Sequence, residues 1–210
     1  ICKDEGLQRA FHDNQDIHAS TAAAVYGIPL NAVTSEQRSF AKRVNFGLIY
    51  GMGAFRLARD SNMTRTEAEE FIKTYFGRFP RIQAYLDATK RQMVEAGYVE
   101  TLLGRRRYFP QLDSASRQTE RERRDAERAA INMPIQGTAA DIMKIAMNNL
   151  YRALIARGLQ ARILLQVHDE LLLEAPDAEV DEVAGLVKQT MESAYPLDVP
   201  LWVDVHSGAS

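Results

Sequence analysis

Polar and apolar positions divide the chain into a long helical part followed by a short sheet. Two segments have the form of a capping box and predict helix starts: Thr34-Ser35-Glu36-Gln37 and Thr64-Arg65-Thr66-Glu67. Glycine predicts helix ends, as at Gly27 and Gly97. We predict helices over 16–26, 35–51, 65–79, 80–96, 118–132 and 137–157. The last two are expected to be separate, because Pro134 should break the helix near that point.

The sheet signal is confined to residues 161–175. Two short apolar runs, 163–167 and 171–173, flank His168-Asp169-Glu170. We predict two buried strands with the charged tripeptide at a hairpin tip, because a carboxylate inside the core would cost several kcal/mol. A carboxylate on a rigid tip suits Mg²⁺, although an ordinary exposed turn explains the same residues. A second, irregular hairpin is predicted over 98–112.

One face of the helix predicted at 35–51 has an unusual order of side chains. Four of its residues are spaced four apart: Arg38, Lys42, Phe46 and Tyr50. On an α-helix this spacing spreads them over roughly 120° of the surface. The opposite side is apolar and carries Phe40, Ala41, Val44 and Leu48. Cations can neutralise a polyphosphate, and aromatic rings can stack on a sugar or base. The side chains of the first face therefore follow the order of the groups of a nucleotide, from the triphosphate to the base. The spacing alone also fits an alternative without a ligand, in which the cations lie on a solvated surface and the aromatic rings at the edge of the core.

Gly47 adds a second signal within this helix. A glycine inside a helix costs about 1 kcal/mol relative to alanine. We therefore expect another group to approach the backbone closely at Gly47.

Composition limits the classes of protein that fit. The 210 residues are 46% apolar, which is enough for a sizeable core, and no run approaches the roughly 18 apolar residues of a membrane span. The single cysteine, Cys2, excludes an internal disulfide and a cysteine-based zinc site. The net charge of -2 is unevenly distributed, since residues 169–210 carry -9 and the remainder carries +7. Positive charge is therefore concentrated where a polyanion could use it.

Four strings resemble signature segments of family A DNA polymerases, the bacterial polymerase I type. Residues 38–51 fit the pattern Arg, three residues, Lys, three residues, Phe or Tyr, three residues, Tyr-Gly at every fixed position. Residues 166–170, Gln-Val-His-Asp-Glu, match a second signature. Residues 132–141 resemble the family's minor-groove segment, and 101–108 resemble its hairpin. The strings stand in the family's order, and the resemblance extends from about residue 16 to 205.

The resemblance implies an α+β fold that is part of the right-hand polymerase architecture. Residues 1–112 would form mostly helical fingers, with the nucleotide-binding helix at 35–51. Residues 113–210 would form the C-terminal part of an antiparallel-sheet palm, with the catalytic hairpin at 161–175. The family's first motif, which supplies a second catalytic aspartate, has no match in the sequence. We expect a fragment of a longer polymerase that is inactive by itself.

The resemblance also implies which side chains bind the incoming nucleotide. Arg38 and Lys42 would hold the triphosphate, and Lys42 would neutralise or protonate the leaving pyrophosphate. His18 would add a further phosphate contact. Phe46 would stack near the sugar, and Tyr50 would guard the templating position. A phenylalanine in this place implies poor use of dideoxynucleotides, since a tyrosine hydroxyl can replace the missing 3′ hydroxyl.

DNA contacts are implied at other positions. Minor-groove readers would be Asn132, Gln136 and His168, and template contacts would be Arg56 and Arg128. Donors in the minor groove check the geometry of a pair without reading sequence, because acceptors lie at similar places on every correct pair.

The implied catalytic residues are Asp169, Glu170 and Lys42. Asp169 is the expected metal ligand, one of two aspartates that hold two Mg²⁺ ions in the complete enzyme. With Asp169 and Glu170 alone, we expect only weak Mg²⁺ binding.

The implied partners are primer-template DNA and a deoxynucleoside triphosphate, with no membrane and no required oligomer. The implied location is the bacterial cytoplasm, in association with the nucleoid, and the implied processes are replication and repair. Three other classes stay open: a single-subunit RNA polymerase, a His-Asp metallophosphohydrolase and a non-catalytic DNA-binding module. Phe46 and residues 132–141 favour DNA synthesis over RNA synthesis.

Overall fold

A computed structural model describes residues 1–61, 63–110 and 119–208. The chain divides into two compact units, Ile1–Ile135 and Gln136–Ser210. Helices dominate both, and two small antiparallel sheets complete the fold, which confirms the α+β class. The predicted boundary between fingers and palm lies after residue 112 and separates functional subdomains, whereas the division after Ile135 separates compact units. The predicted boundary stays a prediction. No helix within the described ranges is long and apolar enough to cross a membrane.

Within the described ranges, the first unit contains six α-helices, a hairpin and the first part of a seventh α-helix. Its elements are α1 (Glu5–His12), α2 (Ile17–Tyr26), α3 (Ser35–Ile49), α4 (Ala54–Ser61), α5 (Arg65–Arg78), α6 (Pro80–Ala96), β1 (Tyr98–Glu100) and β2 (Arg106–Tyr108). Helix α7 (Glu120–Arg157) continues into the second unit, which also contains β3 (Arg162–Val167), β4 (Glu170–Glu174) and α8 (Val180–Glu192). The sequence patterns predicted no helix at α1, α4 or α8.

The helix boundaries follow the local signals in the sequence. Thr34 accepts a hydrogen bond from the backbone of Gln37, whose side chain accepts one in return, and Thr64 and Glu67 repeat this capping box. The glycines that follow α2 and α6 adopt the left-handed conformation. The hairpin predicted over 98–112 is present as β1 and β2, although residues 111–112 lie outside the described ranges.

The predicted break near Pro134 is wrong, because α7 runs without interruption from Glu120 to Arg157. Residue 118, the predicted start of the first piece, lies outside the described ranges. Proline lacks the N–H that would bond to the Ala130 carbonyl, which costs about 3 kcal/mol. Buried residues on both sides of Pro134 hold the helix together: Ala126, Ala130, Ile131, Ala146, Leu150 and Leu154. Their combined packing outweighs the loss of one hydrogen bond.

The main core of the first unit lies between α3, α5 and α6. Phe40 of α3 meets Phe71 of α5 edge to face, with ring centroids 5.8 Å apart. Around this pair the core collects Val44, Leu48, Leu57, Ala68, Tyr75, Phe79, Ile82, Leu86 and Ile131. A smaller cluster contains Met93, Val99, Phe109, Ala126 and Ala130 and packs the hairpin against α6 and α7.

The strands of the second unit are more exposed than their sequence predicts. One side of the hairpin packs on α7 and α8 through Ile163, Leu171 and Leu173. The prediction of two buried strands is wrong for the remaining apolar residues, since Leu164, Leu165, Val167 and Leu172 are each about half exposed. An apolar run indicates that both faces of a strand are hydrophobic. A two-stranded sheet with helices on one face, however, can bury only the side chains of that face.

Gly53 and Gly27 offer a matched pair of substitutions. Gly53 precedes α4, its carbonyl accepts hydrogen bonds from the N–H groups of Arg56 and Leu57, and a Cβ there would meet no atom within 4 Å. We expect Gly53→Ser to raise the free energy of unfolding by a few tenths of a kcal/mol, because serine is the better N-cap. Gly27→Ser should lower it by about 1 kcal/mol, since Gly27 has φ +64°. Urea denaturation measures both, and equal effects would contradict the two backbone assignments.

Candidate nucleotide and nucleic-acid site

Helix α3 separates its two faces as the sequence predicts. Phe40, Ala41, Val44 and Leu48 are buried. Arg38, Lys42 and Phe46 are exposed, and Tyr50 is half-buried. The helix ends at Ile49, slightly earlier than the predicted residue 51, and Tyr50 is its C-cap. Burial of the apolar face therefore sets the direction in which the two cations and the Phe46 ring project.

The C-terminal end of α3 is closed by a Schellman motif. The N–H of Met52 donates to the Gly47 carbonyl at 2.8 Å, and the N–H of Gly51 donates to the Leu48 carbonyl at 3.0 Å. Gly51 has φ +78°, which glycine adopts without strain. The close approach predicted at Gly47 is confirmed, and the approaching group is Met52, whose Cε lies 1.5 Å from where a Cβ would stand. Tyr50 is thus fixed between two required glycines.

Helix α2 lies against α3 and contributes two polar side chains. Asp16 caps α2 by accepting hydrogen bonds from the N–H groups of His18 and Ala19 at 3.0 Å, and its other oxygen accepts from Arg38 Nε. Partial burial alone would raise the pKa of Asp16, but the Ala19 N–H and the Arg38 guanidinium together hold it below its ordinary value. No pattern in the sequence pointed to Asp16 as the partner of Arg38, because 22 residues separate the two.

The structure brings His18, the expected further phosphate contact, next to Phe46 on α3. Its ring centroid lies 5.8 Å from that of Phe46. Burial lowers the pKa of His18, and the charges of Arg38 and Lys42 lower it further, while Asp16 acts in the opposite direction. Burial and the two neighbouring cations thus favour the neutral imidazole over the charged form.

Behind His18 stand two buried polar residues that sequence reasoning missed. Asn45 is 4% exposed and Thr21 is 1% exposed. Asn45 Nδ2 lies 3.0 Å from Thr21 Oγ1 and 3.1 Å from His18 Nδ1. An asparagine on the otherwise apolar side of α3 was the available signal, because buried amides are normally held by specific partners.

A cleft of about 1160 Å³ opens beside α3 and is lined mainly by cations. It gathers five of the predicted residues: Lys42, Phe46, Tyr50, Arg56 and Arg128. Further cations in its wall are Arg43, Arg59, Lys90 and Arg124. Two carboxylates, Asp60 and Glu127, also line it. Seven cations against two anions, with exposed rings among them, suit an anionic ligand that carries bases.

The two predicted template contacts are held by neighbouring carboxylates. Arg56 Nε lies 3.4 Å from Asp60, one turn along α4, and Arg128 pairs with Asp125 on α7. All four side chains are about half exposed. Exposed pairs of this kind contribute at most about 1 kcal/mol, so a polyanion can displace them.

The remaining predicted DNA contacts are divided between the two units. Asn132 lies on α7 in the first unit and is half-buried. Gln136 is the first residue of the second unit and is exposed. His168 is exposed on the β3–β4 turn, has φ +53° and receives a hydrogen bond at its carbonyl from Gln166 Nε2 at 2.9 Å. A positive φ is uncommon outside glycine, and histidine is one of the residues that adopt it more often than most.

The hairpin tip consists of His168 and Asp169 alone. Glu170 was predicted at the tip, but it is the first residue of β4 and pairs with Val167. Asp169 is exposed and could supply one oxygen ligand to a metal. Across 1–61, 63–110 and 119–208, no group of three or more His, Cys, Asp or Glu side chains could hold a metal ion. The described residues therefore fit one ligand of a magnesium site, and they do not form a complete one.

Similarity to known proteins identifies the family of this chain. The sequence model of DNA polymerase family A matches residues 1–210, the full length of the chain. The chain belongs to DNA polymerase family A. The sequence resemblance is thereby confirmed.

Relatives within family A are named DNA polymerase I. The thermostable enzyme of Thermus thermophilus is 51% identical over 205 residues, which are 98% of this chain and 24% of the relative. The enzymes of Streptococcus pneumoniae and Pseudomonas aeruginosa are 50% and 48% identical, cover 100% of the chain, and are themselves covered over 24% and 23% of their length. The chain thus spans about a quarter of the length of these relatives.

A solved family A structure has the same fold. It is the polymerase domain of Pol1 from M. smegmatis, in complex with DNA primer-template and dNTP. The TM-score is 0.90 at 45% sequence identity, over 96% of this chain and 35% of that one.

The Asp16–Arg38 pair leads to a prediction about pH. A carboxyl whose pKa is lowered by folding contributes stability above its ordinary pKa of 3.8, and this contribution is lost as the pH falls through the folded value. Asp16→Asn removes the ion pair and keeps a good N-cap. We expect a loss of less than about 1 kcal/mol at pH 7 and a shallower decline below about pH 4. Chemical denaturation between about pH 3 and 7 measures this, and parallel curves for both proteins would contradict it.

Proposed function

We propose that this chain is the nucleotide-binding and template-binding part of a DNA polymerase in replication and repair. The reaction is transfer of a nucleotidyl group from a deoxynucleoside triphosphate to the 3′ hydroxyl of a primer. The observation that carries the proposal is the exposed face of α3, where Arg38, Lys42, Phe46 and Tyr50 follow one another beside a cationic cleft. Membership of family A and the Pol1 complex with primer-template and dNTP support the same substrates.

The side chains of α3 bind the nucleotide through two kinds of interaction, charge at the triphosphate and stacking at the sugar. Arg38 and Lys42 bind the triphosphate, and Lys42 stabilises or protonates the leaving pyrophosphate. His18 donates a further hydrogen bond to a phosphate oxygen. Phe46, half exposed, stacks near the sugar, and Tyr50 guards the templating position.

At the DNA, the remaining predicted residues bind the primer-template. Arg56 and Arg128 exchange their carboxylate partners for template phosphates, because exposed ion pairs are weak and a polyanion releases counterions on binding. Asn132, Gln136 and His168 read the minor groove of the last base pair through donors that every correct pair satisfies.

Asp169 is the residue that would bind metal in the complete polymerase. Family A enzymes are metal-dependent in general, and we propose two Mg²⁺ ions, which lower the barrier to phosphoryl transfer when bound. Glu170 stands beside Asp169 at the start of β4. Within the described ranges no carboxylate cluster completes the site, so we propose that the 210-residue chain binds its substrates without joining them. That observation also favours the second candidate function, a non-catalytic DNA-binding and nucleotide-binding module.

The nucleotide site is tested by removing Lys42. We expect Lys42→Ala to weaken binding of a deoxynucleoside triphosphate by the 210-residue chain about tenfold, since a charge-assisted hydrogen bond to phosphate contributes roughly 1.5 kcal/mol. Lys73→Ala is the matched control, because Lys73 is exposed on α5 and does not line the cleft. Isothermal titration calorimetry measures both. Equal affinity of the two variants would overturn the assignment of α3.

Phe46 provides a test in a catalytically active polymerase that carries this sequence. Phe46→Tyr should raise dideoxynucleotide incorporation relative to normal nucleotides by at least about tenfold, because the new hydroxyl replaces the missing 3′ hydroxyl. Phe11→Tyr, on the exposed surface of α1, should leave the ratio unchanged. Primer extension with both nucleotides gives the ratio. If the Phe46 variant matches the Phe11 variant, Phe46 does not lie at the sugar.

A further inference from the structure

A chain of hydrogen bonds runs from the backbone of α2 to the ring of His18. Thr21 Oγ1 donates to the Ile17 carbonyl at 2.8 Å, Asn45 Nδ2 lies 3.0 Å from Thr21 Oγ1, and the same nitrogen lies 3.1 Å from His18 Nδ1. Thr21 and Asn45 are both more than nine-tenths buried. Burying an amide and a hydroxyl is unfavourable unless their hydrogen bonds are satisfied, so the direction of each bond decides what this chain can do.

Those directions follow from the number of protons available. The single hydroxyl proton of Thr21 goes to the Ile17 carbonyl, so Oγ1 can only accept a hydrogen bond from Asn45. The group of Asn45 that faces Thr21 must therefore be the NH₂ group. Its second proton points to His18 Nδ1, which must then be an unprotonated acceptor. A neutral imidazole with a bare Nδ1 has its proton on Nε2.

The opposite orientation of the amide is less favourable. In the present orientation one acceptor, Asn45 Oδ1, is buried without a partner among the described residues. Turning the amide over would put an NH₂ group in that position and leave two donors unpaired instead of one acceptor. Each unpaired buried group costs about 1–3 kcal/mol, so Thr21 and its surroundings fix the amide.

The charges around His18 act in the same direction. Burial of the ring lowers the pKa of His18, and the charges of Arg38 and Lys42 on α3 lower it further. Asp16 on α2 raises the pKa, but the net shift is downward. A second ring proton on Nδ1 would also point at the N–H of Asn45. His18 is thus a poor cation in this position.

We propose that Asn45 is a positioning residue that holds His18 as the neutral Nε2–H tautomer, so that His18 serves the triphosphate as a hydrogen-bond donor and not as a cation or a base. The phosphate part of this inference rests on the proposed nucleotide site at α3. The tautomer itself depends only on the contacts of Thr21, Asn45 and His18, and it can be measured in the free chain.

The test is nitrogen NMR of the ¹⁵N-labelled 210-residue chain at about pH 7, where long-range ¹H–¹⁵N spectra distinguish a protonated ring nitrogen from a bare one. The His18 signals are assigned by their disappearance in His18→Gln. We expect a bare Nδ1 and a protonated Nε2 in the parent chain. A protonated Nδ1, or an equal mixture of tautomers, would overturn the inference without any Asn45 variant having to fold.

Two variants connect the tautomer to Asn45. Asn45→Asp puts an acceptor beside the ring, so the proton should move to Nδ1 and the ring should become easier to protonate. Thr21→Val removes the group that orients the amide and should give mixed tautomers. Asn149→Asp makes the same chemical change at an exposed site on α7 and should leave the His18 signals unchanged. Spectra of Asn45→Asp with the parent tautomer would contradict the role of Asn45.

Binding of inorganic tripolyphosphate separates this inference from the proposed function. We expect Asn45→Leu to weaken it roughly threefold to tenfold, the effect of misplacing one donor to an anion, while Asn149→Leu leaves it unchanged. Unchanged affinity of Asn45→Leu would overturn the donor role. If the parent chain has the expected tautomer but binds neither tripolyphosphate nor a nucleotide, the positioning by Asn45 stands and the proposed nucleotide site fails.

Discussion

The side chains of the proposed nucleotide site depend on the burial of the apolar face of α3 in the core of the first unit. Phe40, Val44 and Leu48 are almost inaccessible to solvent, and each contributes about 1.5–3 kcal/mol through its burial. Rotating α3 by one residue, about 100°, would expose them and press Lys42 toward the core at a cost of several kcal/mol. The core therefore decides which side of α3 the cations and the Phe46 ring project from, while ion pairs and the end of the helix refine their positions.

Under the proposed function, cations of α3 and α7 combine two tasks. On α7, Arg124 and Arg128 pair with carboxylates of their own helix, and on α3 Arg38 pairs with Asp16. These exposed pairs orient long side chains in the free chain at little energetic gain. Because these pairs are weak, a phosphate backbone could replace the carboxylates, as the proposed function requires.

Local signals in the sequence predicted much of this fold and site, whereas long-range packing could not be predicted. Capping boxes and terminal glycines involve residues within about one turn, so the starts of α3 and α5 and the ends of α2 and α6 followed directly. Pro134 misled because its local cost is offset by packing along the rest of α7. The apolar strands misled because sequence does not tell which sheet face is covered. The Thr21–Asn45–His18 contacts join α2 to α3 across 27 residues, and no spacing rule reaches that far.

Gly47 and Gly51 limit how the end of α3 could be redesigned. At Gly47 a side chain is excluded for lack of room, because the Met52 side chain already occupies the space. At Gly51 the first limit is the sign of φ, and a Cβ there would also lie a tight 3.3 Å from Ile131 Cδ1. A mutant library could therefore vary the exposed positions of the helix widely, whereas a new residue at Gly47 needs a smaller partner than Met52. At Gly51 no change of neighbour would help, because the restriction lies in the backbone itself.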